Sequence, residues 1–356
     1  MLRSSSDPLP ARPAEAHALE VAQALPGARI VCTTVGRGQA AAGLALARPE
    51  ARVAAWFLDL YQRDLAVAAW GARPAGLEPV CAADMPPGPY DLAVVPLAKD
   101  GEAELSRDIL QAALSNLAIG GRLVTAIDNL RDTWLHEQLA ATGETVRVRP
   151  APGPKPQTVC YIVEKTREPA RVRDFTCEIV FRDRERLLRA VSRPGVFAHR
   201  RIDPGARHLL NAVDVAPDTR VLDIGCGSGC VALGIAARDK SVHVHALDSA
   251  ARAVECTARG AALNGLENIS VALEAGGLVP DPGSYDLALA NPPYYSDFRI
   301  AELFVDAAWK ALAPGGTLLV VTKQPAWYVE HLPQMWRDVA QELVKTYHVI
   351  EAVRPG

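Results

Sequence analysis

Four consecutive residues, Asn291-Pro292-Pro293-Tyr294, combine a side-chain amide, two rings that stiffen the backbone and an aromatic face. Proline holds φ near about −65°, so the Asn291 side-chain oxygen and the Pro292 carbonyl can be held toward one point. Two acceptors aimed at one NH2 group make a site for a planar amine. Tyr294 adds a ring on which a flat group can stack. Some seventy residues earlier, Asp223 stands two positions before Gly225 in a D-x-G-x-G-x-G pattern that continues through Gly227 and Gly229. Glycines there let the chain turn tightly and bring a ligand close to a helix N-terminus. Asp248 follows at the end of the next apolar run, where a carboxylate can accept both hydrogens of a ribose diol. A nucleoside bearing an amino acid fits this pair, with its amino and carboxyl groups at the turn and its ribose at Asp248.

The elements that position these residues are legible from their periodicity. TRVLDI (219–224) reads as a strand, CVALGIAAR as an apolar helix and VHVHALD as the next strand, which together make a βαβ unit. YDLALA (285–290) is a further strand that delivers NPPYY to its carboxyl end, where open α/β sheets bind ligands. A helical RIAELFVDAAWKALA, a PGG turn and the strand TLLVVT follow. Strands alternating with helices call for a parallel sheet covered on both faces.

The first half carries a fainter copy of this plan. Gly36 to Asp59 and Gly225 to Asp248 are both 23 positions, and Tyr90 to Gly120 and Tyr285 to Gly315 are both 30. The chemistry differs: IVCTTVGRGQ stands where the second copy has VLDIGCGSGC, without the acid and with Arg37 inside the turn. VVPLAKD likewise replaces LANPPYY. The scaffold is repeated and the site is not. Between the copies, residues 165–207 hold twelve Lys and Arg against six acids in a chain whose net charge is −3. Such a segment can pair with phosphate through guanidinium forks, or be a solvated linker whose charges pair with one another, as RDRER (182–186) suggests. The APGPKP run (151–156) reads as a hairpin loop between two strands.

The glycine turn alone is shared with nicotinamide enzymes; NPPYY decides against them. VLDIGCGSG and HALDSA resemble the first and second motifs of the class I methyltransferases that use S-adenosylmethionine. The resemblance implies that Asp223, Gly225, Cys226, Gly227, Gly229, Asp248, Ser249 and Phe197 bind that cofactor, and that Asn291, Pro292, Pro293 and Tyr294 form the catalytic motif, with no metal. Its members bearing such a motif methylate exocyclic amines of nucleobases or the glutamine side-chain amide. Over nearly its whole length the chain resembles the two-domain ribosomal RNA guanine-N2 methyltransferases, including RPGVFAHRRIDPGARHLL (193–210), which would bring Phe197 and residues 199–201 to the edge of the site. The fold so implied is α/β, with two tandem Rossmann-like class I methyltransferase domains, each on a seven-stranded mixed sheet. Residues 1–165 would be a degenerate copy that helps to hold RNA, 166–192 a basic linker and 193–356 the catalytic domain, with residues 339–353 in the closing antiparallel hairpin. Two features depart from the family: Tyr294 and Tyr295 stand where Phe and His are usual, and Gly276 occupies the place of the acid expected near adenine, for which Glu274 or backbone amides would substitute.

Ribosomal RNA or a ribosomal subunit is therefore the expected partner. Alternative readings are a release-factor glutamine methyltransferase, a non-catalytic RNA-binding protein and a small-molecule amine methyltransferase. Composition sets the outer bounds. With 356 residues, 49% of them apolar and 22% charged, the chain is expected to form two globular domains. It has no apolar stretch of about 18 residues and no signal-peptide pattern at its start, which points to a cytoplasmic monomer without a membrane anchor. The seven cysteines lack a CxxC pair and read as buried small hydrophobes.

Overall fold

The structure is a computed structural model that describes residues 10–151, 153, 156–293 and 298–356. It divides into two units, Met1–Phe175 and Thr176–Gly356. In the first unit the order is α1 (Pro13–Gln23), β1 (Arg29–Cys32), α2 (Gln39–Ala47), β2 (Arg52–Phe57), α3 (Leu60–Trp70), β3 (Leu77–Cys81) and β4 (Tyr90–Leu97). Then come α4 (Ala103–Asn116), β5 (Leu117–Ile127), α5 (Trp134–Ala140), β6 (Val146–Pro150) and β7 (Val159–Glu164). The second unit starts with β8 (Cys177–Asp183), β9 (Arg186–Ser192), α6 (Pro204–Ala212), β10 (Arg220–Ile224), α7 (Cys230–Arg238), β11 (His243–Asp248) and α8 (Ala251–Leu263). It ends with β12 (Ile269–Leu273), β13 (Tyr285–Ala290), α9 (Arg299–Ala311), β14 (Leu312–Thr322), α10 (Ala326–His331), β15 (Arg337–Val344) and β16 (Tyr347–Val353).

Each unit is built on a seven-stranded sheet of the same order, β3-β2-β1-β4-β5-β7-β6 in one and β12-β11-β10-β13-β14-β16-β15 in the other. Six strands run in one direction and one, β7 or β16, runs opposite to its two neighbours, so each sheet is mixed. The central strands are apolar on both faces because helices cover both: Val221, Leu222 and Ile224 are all buried. The repetition extends to single bonds. Asp91 accepts from the Arg29 amide and Asp286 from the Arg220 amide, while each arginine lies over a tyrosine ring, Tyr90 or Tyr285. Gly120 and Gly315, at φ +84° and +85°, donate to the carbonyls of Lys165 and Arg354. Those two cations reach back in turn to the carbonyls of Leu117 and Leu312.

The glycine turns diverge. Cys32 stands where the second unit has Asp223, and the acid comes from another element. Glu15 on α1, fully buried, accepts from Thr34 Oγ1 at 2.9 Å and the Ala40 amide in the first turn of α2 at 3.1 Å. Burial raises its carboxyl pKa above the usual range. At the start of α2, a Cβ on Gly38 would come within 2.8 Å of the Trp70 ring, whose Nε1 donates to the Arg37 carbonyl. The residues before it in the turn, Thr33, Thr34 and Gly36, line a cavity of about 310 Å³ with Phe57, Asp59 and Gln62.

Residues 166–192 are not the bare linker expected. Residues 177–192 form the β8–β9 hairpin of the second unit, with Ile179, Phe181, Leu188 and Ala190 in its core. Alternation of apolar and charged residues makes one face of the hairpin buriable, which the net charge of the segment conceals. Asp183 locks it to the end of α7 by a buried two-pronged pair with Arg238, at 2.9 Å for each contact. Residues 339–353 lie in the antiparallel β15–β16 pair, and β6 and β7 flank the APGPKP loop.

Glu15→Ala strands the amide of Ala40 and the hydroxyl of Thr34 in a buried site. It is expected to lower the unfolding free energy by about 1–3 kcal/mol, read as a reduced urea midpoint.

Candidate functional site

The β10–α7 turn is shaped by three glycines with positive φ: Gly225 at +75°, Gly227 at +56° and Gly229 at +77°. Side chains avoid this region, and two of the three are also crowded. A Cβ on Gly225 would lie 2.7 Å from the Phe304 ring, and one on Gly229 would lie 2.8 Å from Thr257 Oγ1. Nothing stands within 4 Å of a Cβ on Gly227. The crest is open here, in contrast to the equivalent Gly36, where a Cβ would lie 3.1 Å from Gln39 Oε1 and 3.2 Å from Glu15 Oε2.

Asp223 lies beneath the turn, 3% exposed, and accepts from the Ala232 amide in the first turn of α7 at 3.1 Å. Burial pushes its carboxyl up to about 7, against that one hydrogen bond. Asp248 ends β11 and is bound on both oxygens, by the Gly227 amide and the Ala250 amide, each at 2.8 Å. These two bonds seat its carboxylate beside the open crest. Ser249 follows it. Cys226 is buried against Thr257, and burial raises its thiol well above the usual range, so it packs and does not react. Glu274, just past β12, donates its amide to the Asp248 carbonyl, while its carboxylate accepts from the Gly276 amide at 2.6 Å. An acid therefore stands at this strand end despite Gly276.

Asn291 follows β13 directly, with Pro292 buried and Pro293 exposed. Its Nδ2 donates to Asp203 Oδ2 at 2.8 Å. A carboxylate accepts only, so this contact fixes which end of the amide is NH2 and sets the orientation of Oδ1. Asp203 also caps α6 through the Ala206 amide, with Pro204 in the first helical position. The sequence reading did not assign Asp203 a role. Its one local signal was Asp-Pro, an N-cap signature. Tyr294 lies outside the described residues. A described aromatic residue beside the prolines is Phe298, which lines a small crevice with Pro292 and Pro293 and stacks on Trp327 at 5.8 Å between centroids.

The RPGVF segment is anchored to α8. Buried Arg252 donates to the Pro194 carbonyl at 2.8 Å, Arg193 pairs with Glu255 at 2.5 Å, and Val196 packs with Ala253 and Cys256. Phe197 projects from this loop and is 46% exposed. Its loop is fixed to the helix that follows Asp248, and His199 Nδ1 lies 2.9 Å from Ser192 Oγ.

Comparison with known proteins agrees with this geometry. Residues 188–351 match the family model of the methyltransferase small domain. The chain is 36% identical over 138 residues to the ribosomal RNA small subunit methyltransferase C of Pseudomonas entomophila, covering 38% of this chain and 41% of that protein. With the enzyme of the same name from Pseudomonas aeruginosa it shares 34% over 153 residues, 41% of this chain and 46% of the other. These sequence matches therefore span less than half the length of the curated relatives. Among solved structures, the T. thermophilus 16S rRNA N2 G1207 methyltransferase, determined in complex with AdoMet and guanosine, superposes with a TM-score of 0.78. That match is 22% identical and covers 96% of this chain and 92% of the other. The methyltransferase small model thus spans most of the second unit. Over nearly its whole length, the chain has the two-unit fold of that 16S rRNA methyltransferase.

Because the folded state holds a proton on Asp223 that the unfolded chain releases above its ordinary pKa of 3.8, stability is expected to fall as pH rises from about 4 to about 7 and then level off. Asp223→Asn keeps an acceptor for Ala232 and should flatten that slope, measured as the urea midpoint between about pH 5 and 8.

Proposed function

We propose that the chain is an S-adenosylmethionine-dependent methyltransferase that modifies N2 of a guanine in ribosomal RNA. The observation that carries this reading is the Asn291 amide held by Asp203 at the end of β13, in the same unit as an open glycine turn flanked by Asp248. The names of the relatives supply the substrate class. The cofactor fits the residues present: the open crest at Gly227 leaves room for its amino-acid portion, the Asp248 carboxylate suits its ribose diol, and Glu274 stands at the neighbouring strand end. When bound, it supplies an electrophilic methyl group on sulfur.

The chain's own residues then have defined tasks. A guanine N2 is conjugated with its ring, which makes it planar and a weak nucleophile. Asn291 Oδ1 and the Pro292 carbonyl accept its two hydrogens, which favours the tetrahedral nitrogen of the transition state and orients the lone pair for in-line attack. No group has to remove a proton beforehand. Asp203 acts through Asn291 as a positioning residue. Tyr294 and Phe298 supply faces on which the base can stack. The first unit, whose turn lacks the strand acid and has Glu15 of α1 bonded beneath it, is a degenerate copy that holds RNA. The protein works as a cytoplasmic monomer; no helix among the described residues is long and apolar enough to cross a membrane. Release-factor glutamine methylation is less well supported, because the two-unit likeness extends over both halves of the chain.

The purified chain with radiolabelled cofactor should label ribosomal RNA or the small subunit, and mass spectrometry of the digest should locate the methyl on guanine N2. Transfer to protein alone would overturn the reading. Asn291→Ala is expected to lower kcat by about 10²-fold or more while leaving cofactor affinity within a small factor. Asp203→Ala should share the kcat defect and cost about 1 kcal/mol of stability through the lost cap. Asp248→Ala should raise the cofactor Kd first.

A further inference from the structure

The first unit contains a cavity of about 560 Å³ that the transfer chemistry does not use. Its floor is apolar: Leu110 and Leu114 of α4, Leu139 of α5 and Phe175, all buried. Its rim is cationic, with Arg107, Lys165, Arg167, Arg171 and Arg173 against Glu144 and Glu168. Both acids are already engaged. Glu168 pairs with buried Lys165 at 2.8 Å, and Glu144 accepts from the Thr166 amide and from Thr166 Oγ1 at 2.6 Å. Arg107 is held by Gln138 at 2.8 Å and lies over the Trp134 ring.

Three exposed guanidinium groups remain. Arg167 donates to a neutral carbonyl, that of Gly143; Arg173 lies 4.9 Å from the Phe175 ring centroid. Arg171 has no hydrogen bond or ion pair among the described residues, and none of the three is paired with a carboxylate among them. The segment that carries them is fixed to α4, because Gln111 accepts from the Arg173 amide at 2.6 Å and donates to the Arg173 carbonyl at 2.9 Å. Three guanidinium groups around an apolar floor, of which Arg167 also acts on the nearby Glu144 carboxylate, match an anion joined to a flat, weakly polar body. A volume of this size lies within the range of small-ligand sites.

We propose that this cavity binds one nucleotide of a single-stranded RNA segment, its phosphate at Arg167, Arg171 and Arg173 and its base over the floor formed by Leu110, Leu114, Leu139 and Phe175. Guanidinium forks pair bidentately with phosphate oxygens, and the aromatic and aliphatic floor accepts any base without reading its edge. The site lies in the unit whose glycine turn lacks the strand acid, so it gives that unit a binding task of its own. It rests on the reading of the protein as an RNA enzyme for the identity of the polymer.

The test uses the full chain and a fluorescein-labelled single-stranded RNA decamer, with anisotropy followed as a function of KCl. Arg171→Glu, Arg173→Glu and Arg167→Glu should each weaken binding about fivefold or more, and loss of the one phosphate contact should reduce the slope of log K against log salt by about 0.7. Cofactor affinity, measured by calorimetry, and the thermal midpoint should stay at wild-type values. A nucleoside monophosphate should compete at concentrations where inorganic phosphate does not. Unchanged decamer affinity in all three variants overturns the proposal, as does equal competition by inorganic phosphate or by polyglutamate. Methyl transfer with arginine-independent RNA binding would sink the cavity and leave the enzyme standing. Arginine-dependent RNA binding without transfer would do the reverse.

Discussion

The site depends on the hydrogen bond from Asn291 Nδ2 to Asp203 Oδ2. An amide has one donating and one accepting end, and a site for an NH2 group works only if the accepting end is presented. A carboxylate against Nδ2 excludes the flipped amide, because Oδ1 would then face an anion at hydrogen-bond distance. The same carboxylate caps α6, so the helix start and the end of β13 are tied by one group. The amide orientation is thus established by the fold before any substrate arrives, which is what preorganised catalysis requires.

The two units show how differently a scaffold and a site constrain sequence. Strand order, the aspartates that hold the first strand's amides and the left-handed glycines before the final strand pairs are repeated. These features satisfy backbone groups, and different side chains can surround them without loss. A ligand site instead requires empty space beside particular polar atoms. At Gly227 that space is present; at the equivalent Gly36 a Cβ would meet Gln39 Oε1 at 3.1 Å and Glu15 Oε2 at 3.2 Å. Glu15 then does from α1 what Asp223 does from the strand itself, bonding an amide in the first turn of the following helix. The helix keeps its acceptor although the acid has moved to another element.

The basic segment divides along the same boundary as the units. In the β8–β9 hairpin, charges pair within the same unit: Arg184 with Asp214, Arg189 with Glu178, and Asp183 with Arg238 at the end of α7. Those charges hold a hairpin in place. Arg167, Arg171 and Arg173 belong to the first unit and line its cavity without carboxylate partners. A net charge counted along the chain merged two populations with different roles.

The sequence by itself determined the parallel α/β class, the duplication and most of the cofactor-side residues, because these rest on local patterns: apolar runs, glycines at turn positions and acids at strand ends. Asp223, Gly225, Gly227, Gly229 and Asp248 lie within one βαβ unit, so their spacing along the chain sets their spacing in space. Asp203 and Asn291 are 88 positions apart and meet only because α6 and β13 belong to one folded unit. Glu15 beneath the first turn, Trp70 above it and the separation of the arginines are of the same kind. Such contacts depend on packing between distant elements, so tertiary structure decided which amide end is presented, which element supplies the acid beneath a turn and where positive charge is left unpaired.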